Sequence, residues 1–143
     1  MVKLFSYILL TIFLGWGSKM KVVESTSRDW VGGLQESGYG TDFEVSLQVK
    51  AGSNDLKIEE LWVGDVHMKV RVNAFEKDTR VKVRAGYTTK PDANHKMALS
   101  GADNAPKPFN YKGEGLLKYS CKGKILYVVI PEFKKLEKII YPQ

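Results

Sequence analysis

Phe43-Glu44-Val45-Ser46-Leu47-Gln48-Val49-Lys50 alternates apolar and polar side chains at every step. A helix would scatter those four apolar residues around its circumference, whereas a strand places all four on one face. The period of two predicts a strand with one buried and one wet face, as antiparallel sheets allow. The same alternation returns at Met68, Val70 and Val72, set against His67, Lys69, Arg71 and Asn73. It returns again at Val81, Val83 and Ala85, set against Arg80, Lys82 and Arg84.

The segments between these strands fit the same pattern. Leu56-Lys57-Ile58 starts a strand that slips register at Glu59-Glu60, and a bulge there would return Leu61 to the core face. Gly64-Asp65 predicts a tight reversal, so residues 56–73 read as a hairpin, and Ala51–Asp55 reads as a turn. Gly115–Cys121 and Lys124–Ile130 form a second hairpin about Lys122-Gly123, ended by Pro131, which lacks a ladder donor. The returning strand is apolar on both sides, which predicts a central strand or one covered on both faces. Trp30–Gln35 reads as a first edge strand and Ser37–Gly40 as a turn. Residues 133–140 fit either a helical turn or a last edge strand guarded by Lys134, Lys135 and Lys138.

Seven strands, or eight with the tail, and no long helix predict one all-β domain over residues 30–143. The expected architecture is an antiparallel immunoglobulin-like β-sandwich, with a small Greek-key barrel as the alternative. Trp62 falls on the third strand, where such sandwiches keep a core tryptophan. Cys121 is the only cysteine, so no disulfide forms within the chain, and its apolar neighbours predict a buried thiol.

Ahead of this domain, residues 4–16 are uncharged and predominantly apolar behind Lys3, and Gly15-Trp16-Gly17 supplies a small-x-small exit. That pattern predicts an export signal helix over residues 1–17, cut before Ser18. At 13 residues the run is short of the ~20 that a permanent transmembrane helix needs. Residues 18–29 are polar and small and read as a tether. The expected location is periplasm, cell envelope or medium, with membrane contact only through an uncleaved N-terminus. Without Lys3, 21 basic residues face 16 acidic ones, a net charge of +5 scattered along the chain. Nucleic-acid binders concentrate their basic residues on one face or in one run, so this balance disfavours nucleic acid.

Two features could carry binding. Residues 86–113 break the strand pattern with Pro91, Pro106 and Pro108 and read as a long loop flanked by Tyr87, Phe109 and Tyr111, with His95 inside it. Lys69, Arg71, Arg80, Lys82 and Arg84 form a basic stripe if their strands are neighbours, suited to an anionic partner. No aromatic residue interrupts the stripe, which speaks against base stacking. Asp92, Asn94, His95, Asp103 and Asn104 match neither a calcium loop nor a zinc pair, so neither a metal nor a cofactor is expected. Only two histidines are present, and no nucleophile elbow or paired carboxylates appear, so enzymatic activity is not expected.

The export signal, the polar tether, Asp29-Trp30-Val31-Gly32-Gly33 and the Gly-rich turn before an alternating strand resemble small exported β-domain proteins of Bacteroidetes-type bacteria. Many of these are lipoproteins, with a cysteine at the junction where this chain has Gly15-Trp16-Gly17-Ser18-Lys19. The resemblance implies a cell-envelope β domain and assigns no site. Trp16 in place of the cysteine leaves no thioether anchor there. The expectation is an exported, non-enzymatic sandwich that binds a protein or envelope component through residues 86–113 or the basic stripe. A secreted inhibitor or small enzyme using the same loop, or a nucleic-acid-binding barrel, are the alternatives.

Overall fold

The computed structural model of the chain describes residues 20–34, 37–49, 56–73 and 80–142. The export signal, the turn at Ala51–Asp55 and Gln35 lie outside the described residues. Within them the chain forms twelve strands and no helix. These are β1 (Met20–Val31), β2 (Tyr39–Val49), β3 (Leu56–Val63), β4 (Val66–Lys69), β5 (Arg71–Val72) and β6 (Arg80–Pro91). They continue as β7 (Met97–Ser100), β8 (Ala102–Asp103), β9 (Gly115–Cys121), β10 (Lys124–Ile130), β11 (Lys134–Lys135) and β12 (Ile139–Ile140). One sheet runs β11-β1-β2-β6-β5, with β12 also on β1 and β7 also on β6; the other runs β10-β9-β3-β4-β8.

The core lies between the sheets and follows the period of two. Phe43, Val45, Leu47 and Val49 of β2 and Val81, Val83 and Ala85 of β6 face Leu61, Met68, Leu117, Tyr119, Val128 and Ile130. The expected β3 bulge occurs, with the register shifting between Ile58 and Glu60 and Leu61 buried. Cys121 is buried, as its neighbours predict.

Several expectations are corrected. The Greek-key barrel fails because the sheets do not close on each other. Closure requires every edge to pair, and the tail occupies the β1 edge, with Thr26 opposite Lys134 and Trp30 opposite Ile139. Of the two readings of that tail, the edge strand holds and the helical turn does not: it forms two short strands parallel to β1. Residues 20–29, expected as a tether, are most of β1 and pair with β2 from Thr41 to Val49. The expected continuous strand through Met68, Val70 and Val72 breaks at Val70, where the chain leaves one sheet for the other. β10 is an edge strand rather than a central one. The other reading of its double-sided apolarity, a strand covered on both faces, holds: Val128 and Ile130 face the core, while Tyr127 and Val129 face the 105–113 segment folded over the outside. Trp62 is buried on that same outer side and not between the sheets, since Leu61 takes the inward position.

Residues 86–113 are not one long loop. β6 continues to Pro91, turns at residues 92–96 and returns as β7. Asp92 makes the turn: its Oδ1 accepts from the Asn94 N–H at 2.8 Å and the Lys96 N–H at 3.0 Å. Only the second half, after β8, lacks strands.

Candidate binding surface

Cross-strand register brings one row of side chains to the end of the first sheet: Ile140, Val31, Tyr39, Thr89 and Leu99, contributed by β12, β1, β2, β6 and β7. Pro91 and Met97, opposite one another one pair further along the hairpin's alternation, extend the same face. This is the face that carries Phe43 and Ala85 in the core, but here the first sheet outruns the second. Side chains that would otherwise be interior are exposed: Ile140 at 72%, Met97 at 53%, Tyr39 at 51% and Leu99 at 39%. Contiguous exposed apolar patches on a folded domain mark interaction sites.

Aromatic and polar contacts support this row. Tyr87, one pair inward, packs on Phe43 with ring centroids 6.2 Å apart, so it anchors the overhang rather than projecting from it. On the opposite face Trp30 covers Gly40, where an added Cβ would meet the Trp30 ring and the Tyr87 carbonyl. Tyr141 meets the Trp30 ring edge-on at 6.4 Å. Asp29 accepts from the Thr41 hydroxyl at 2.7 Å and pairs with Lys135 at 3.2 Å. Those contacts, the Thr41 bond foremost, hold the Asp29 carboxyl below its ordinary range.

The other expected site residues are dispersed. His95 sits exposed in the 92–96 turn with φ of 60°. Phe109 and Tyr111 turn back onto the second sheet, where Phe109 meets Tyr127 edge-on at 5.1 Å and Tyr111 at 6.3 Å. They therefore cover the scaffold instead of tipping a binding loop. Lys107 lies 5.3 Å from the centre of the Tyr111 ring. Burial raises the Tyr111 hydroxyl above its ordinary range.

The basic stripe is split. Lys69 is on β4 in the second sheet, while Arg71, Arg80, Lys82 and Arg84 are in the first. Glu44, opposite Arg84, pairs with Arg84 at 3.2 Å and with Lys82 at 3.6 Å. A groove of about 540 Å³ on this face is lined by Arg28, Arg71 and Arg84 but equally by Glu24, Asp42 and Glu44. Its charge is mixed, because β2 supplies acids on the outward positions that face β6.

One polar constellation was not anticipated. His67, read from its strand position as solvated, is 7% exposed beneath Trp62, with ring centroids 4.8 Å apart. Its Nδ1 lies 2.8 Å from Asp103 and its Nε2 2.9 Å from Glu60. Glu60 also pairs with Lys118 at 3.1 Å, and Lys118 reaches Glu59 at 3.8 Å. Burial works to raise the Glu60 carboxyl, but hydrogen bonds from Lys118 and His67 outweigh it and leave Glu60 below its ordinary range. Asp103 is lowered chiefly by the Ala105 N–H and then by His67. With a carboxylate at each ring nitrogen, His67 ties β3 to β8 across β4. The acidic partners lie 7 and 36 residues away in sequence, and only the register of β3, β4 and β8 brings them together.

The sequence matches no protein-family model, and neither curated proteins nor solved structures contain a significant match to it.

Proposed function

We propose that the chain is an exported, non-enzymatic immunoglobulin-like sandwich that binds a protein partner through the apolar end of its first sheet. The observation that carries this reading is the row Ile140–Val31–Tyr39–Thr89–Leu99, in which Ile140, Tyr39 and Leu99 are exposed and Val31 and Thr89 half-buried. Five strands hold it, so binding it would require little ordering of the backbone. The immunoglobulin-like assignment is supported by strand order: β1-β2-β6-β5 follows the A-B-E-D sheet, and β10-β9-β3-β4 follows G-F-C with an added C′ strand. Two departures stand against that pattern, the missing disulfide and Trp62 on the outer side.

Export is supported by the apolar run of residues 4–16 behind Lys3. The non-enzymatic reading is supported by the closed pairing of His67 and by Asp92, whose carboxylate caps its own turn instead of meeting His95. An anionic or nucleic-acid partner is the weaker reading, since Glu44 interrupts the stripe.

The test compares the full chain with its Leu99→Asp/Ile140→Asp variant. Both side chains are exposed, so the melting temperature should hold, with stability changed by about 0.5 kcal/mol or less per site. A protein retained from envelope extracts by the wild type and lost by the variant supports the reading. Equal retention by both, or none by either, overturns it.

A further inference from the structure

We infer that β7 is an acceptor edge, and that the partner enters as an extended peptide strand with alternating apolar side chains and an acidic end. The inference rests on the protein-binding reading above and adds its mode and chemistry.

The hydrogen-bond phase of the β6–β7 hairpin carries the argument. In an antiparallel pair, residues alternate between those bonded to each other and those whose N–H and C=O point away. The Asp92 N–H donates to the Lys96 carbonyl at 2.7 Å, so 92 and 96 form a bonded position. Counting along the register, Lys90–Ala98 and Thr88–Ser100 are bonded positions as well. Pro91–Met97 and Thr89–Leu99 are then the outward-pointing ones. Proline has no N–H, so its place opposite Met97 independently requires this phase. The N–H and C=O groups of Met97 and Leu99 therefore face the free edge of β7, which pairs only with β6 among the described residues.

The side chains of the same two residues are exposed and apolar and continue the Tyr39 row. An added strand would satisfy two N–H and two C=O groups while laying every second side chain on that row. Natural edges are blunted by shortness, proline, inward charge or bulges; β7 is short, at four residues, but carries no proline, charge or bulge within Met97–Ser100. The flanks are basic. Lys90 and Lys96 are both exposed, and among the described residues neither pairs with a carboxylate. An acidic end on the incoming strand complements them at the hairpin tip.

The probe is a synthetic ten-residue peptide of alternating valine and threonine ending in two aspartates, added to the full-length chain. Saturating peptide should slow amide exchange at Met97 and Leu99 by at least about tenfold, with no change at Ala98. N-methylation of the peptide on the residues that face β7 should abolish this protection. Leu99→Pro removes one outward N–H without removing a β6–β7 bond, and should weaken binding by about tenfold. Replacing the two aspartates with lysines should also weaken binding. Unchanged exchange at both amides, or equal binding of the N-methylated peptide, overturns strand addition. Either result leaves the Leu99→Asp/Ile140→Asp test of partner binding standing. Protection of the same amides in the chain alone, rising with concentration as dimers form, makes a second copy the occupant and also overturns the inference.

Discussion

Lys122 and Gly123 close the β9–β10 hairpin with both residues at positive φ, 52° and 78°. Two successive left-handed residues suit a two-residue hairpin turn, for which Asn-Gly is the preferred pair. Lysine carries a Cβ penalty there that asparagine largely escapes. Lys122→Asn is expected to raise stability by up to about 1 kcal/mol, read by urea denaturation. His67 works the other way. Replacing it with alanine leaves a gap under Trp62 and separates Asp103 from Glu60, at an expected cost of about 1–3 kcal/mol. The same cluster sets an acid response. Glu60 and Asp103 are both held below the ordinary carboxylate range of about 4. Their stabilisation is therefore present above that range and is lost as pH falls through their lowered folded values. Glu60→Gln should flatten the low-pH limb of a stability–pH curve; an unchanged limb would remove Glu60 from the account.

At the scale of elements, the tail and β1 explain each other. After the register shift between Val22 and Glu24, the residues of β1 on the core side are Ser25, Ser27 and Asp29. The chain after β10 meets them with polar contacts. The Ser25 hydroxyl donates to the Glu132 carbonyl at 2.6 Å, the Leu136 N–H donates to the Ser27 carbonyl at 2.8 Å, and Lys135 pairs with Asp29. Phe133, between these contacts, enters the core 5.1 Å from Phe43. Phe133→Ala should cost about 3–5 kcal/mol and release the tail, seen as faster amide exchange in β1. The 105–113 segment is a second cover. It places Phe109 on Tyr127, and the Trp62 indole N–H donates to the Ala105 carbonyl at 3.3 Å. Phe109→Ala should expose the outer side of β10 and speed exchange there while leaving the inter-sheet core protected.

At the scale of the molecule, two sheets of unequal reach leave apolar side chains uncovered at one end, while charges of both signs share the outer face of the first sheet. Glu44 shields Lys82 and Arg84. Glu44→Gln is therefore expected to strengthen retention on a polyanion column, with elution moving to higher salt. Unmoved elution would show that the stripe has no latent affinity for polyanions. The strands with an inward apolar period, β2, β3, β6, β9 and β10, were legible in the residues, as were the β3 bulge and both hairpin turns. Burial on one face forces alternation, and glycine marks the turns. β1 was hidden because its bulge breaks the period and its inward partners are hydrogen bonds from the tail. The β6–β7 hairpin was hidden by Pro91, which reads as a strand breaker but sits where no ladder donor is needed. Its signal was present in Thr88-Thr89 and in Met97 and Leu99 alternating with Ala98 and Ser100. The sequence by itself determined an all-β chain and most of its core, because those depend on local periodicity. The tertiary structure alone decided which strands share a sheet, that Lys69 parts from Arg71, that His67 meets two carboxylates, and that an apolar row stays uncovered. Each of these is a relation between residues far apart in the chain, set by register and by the relative length of two sheets.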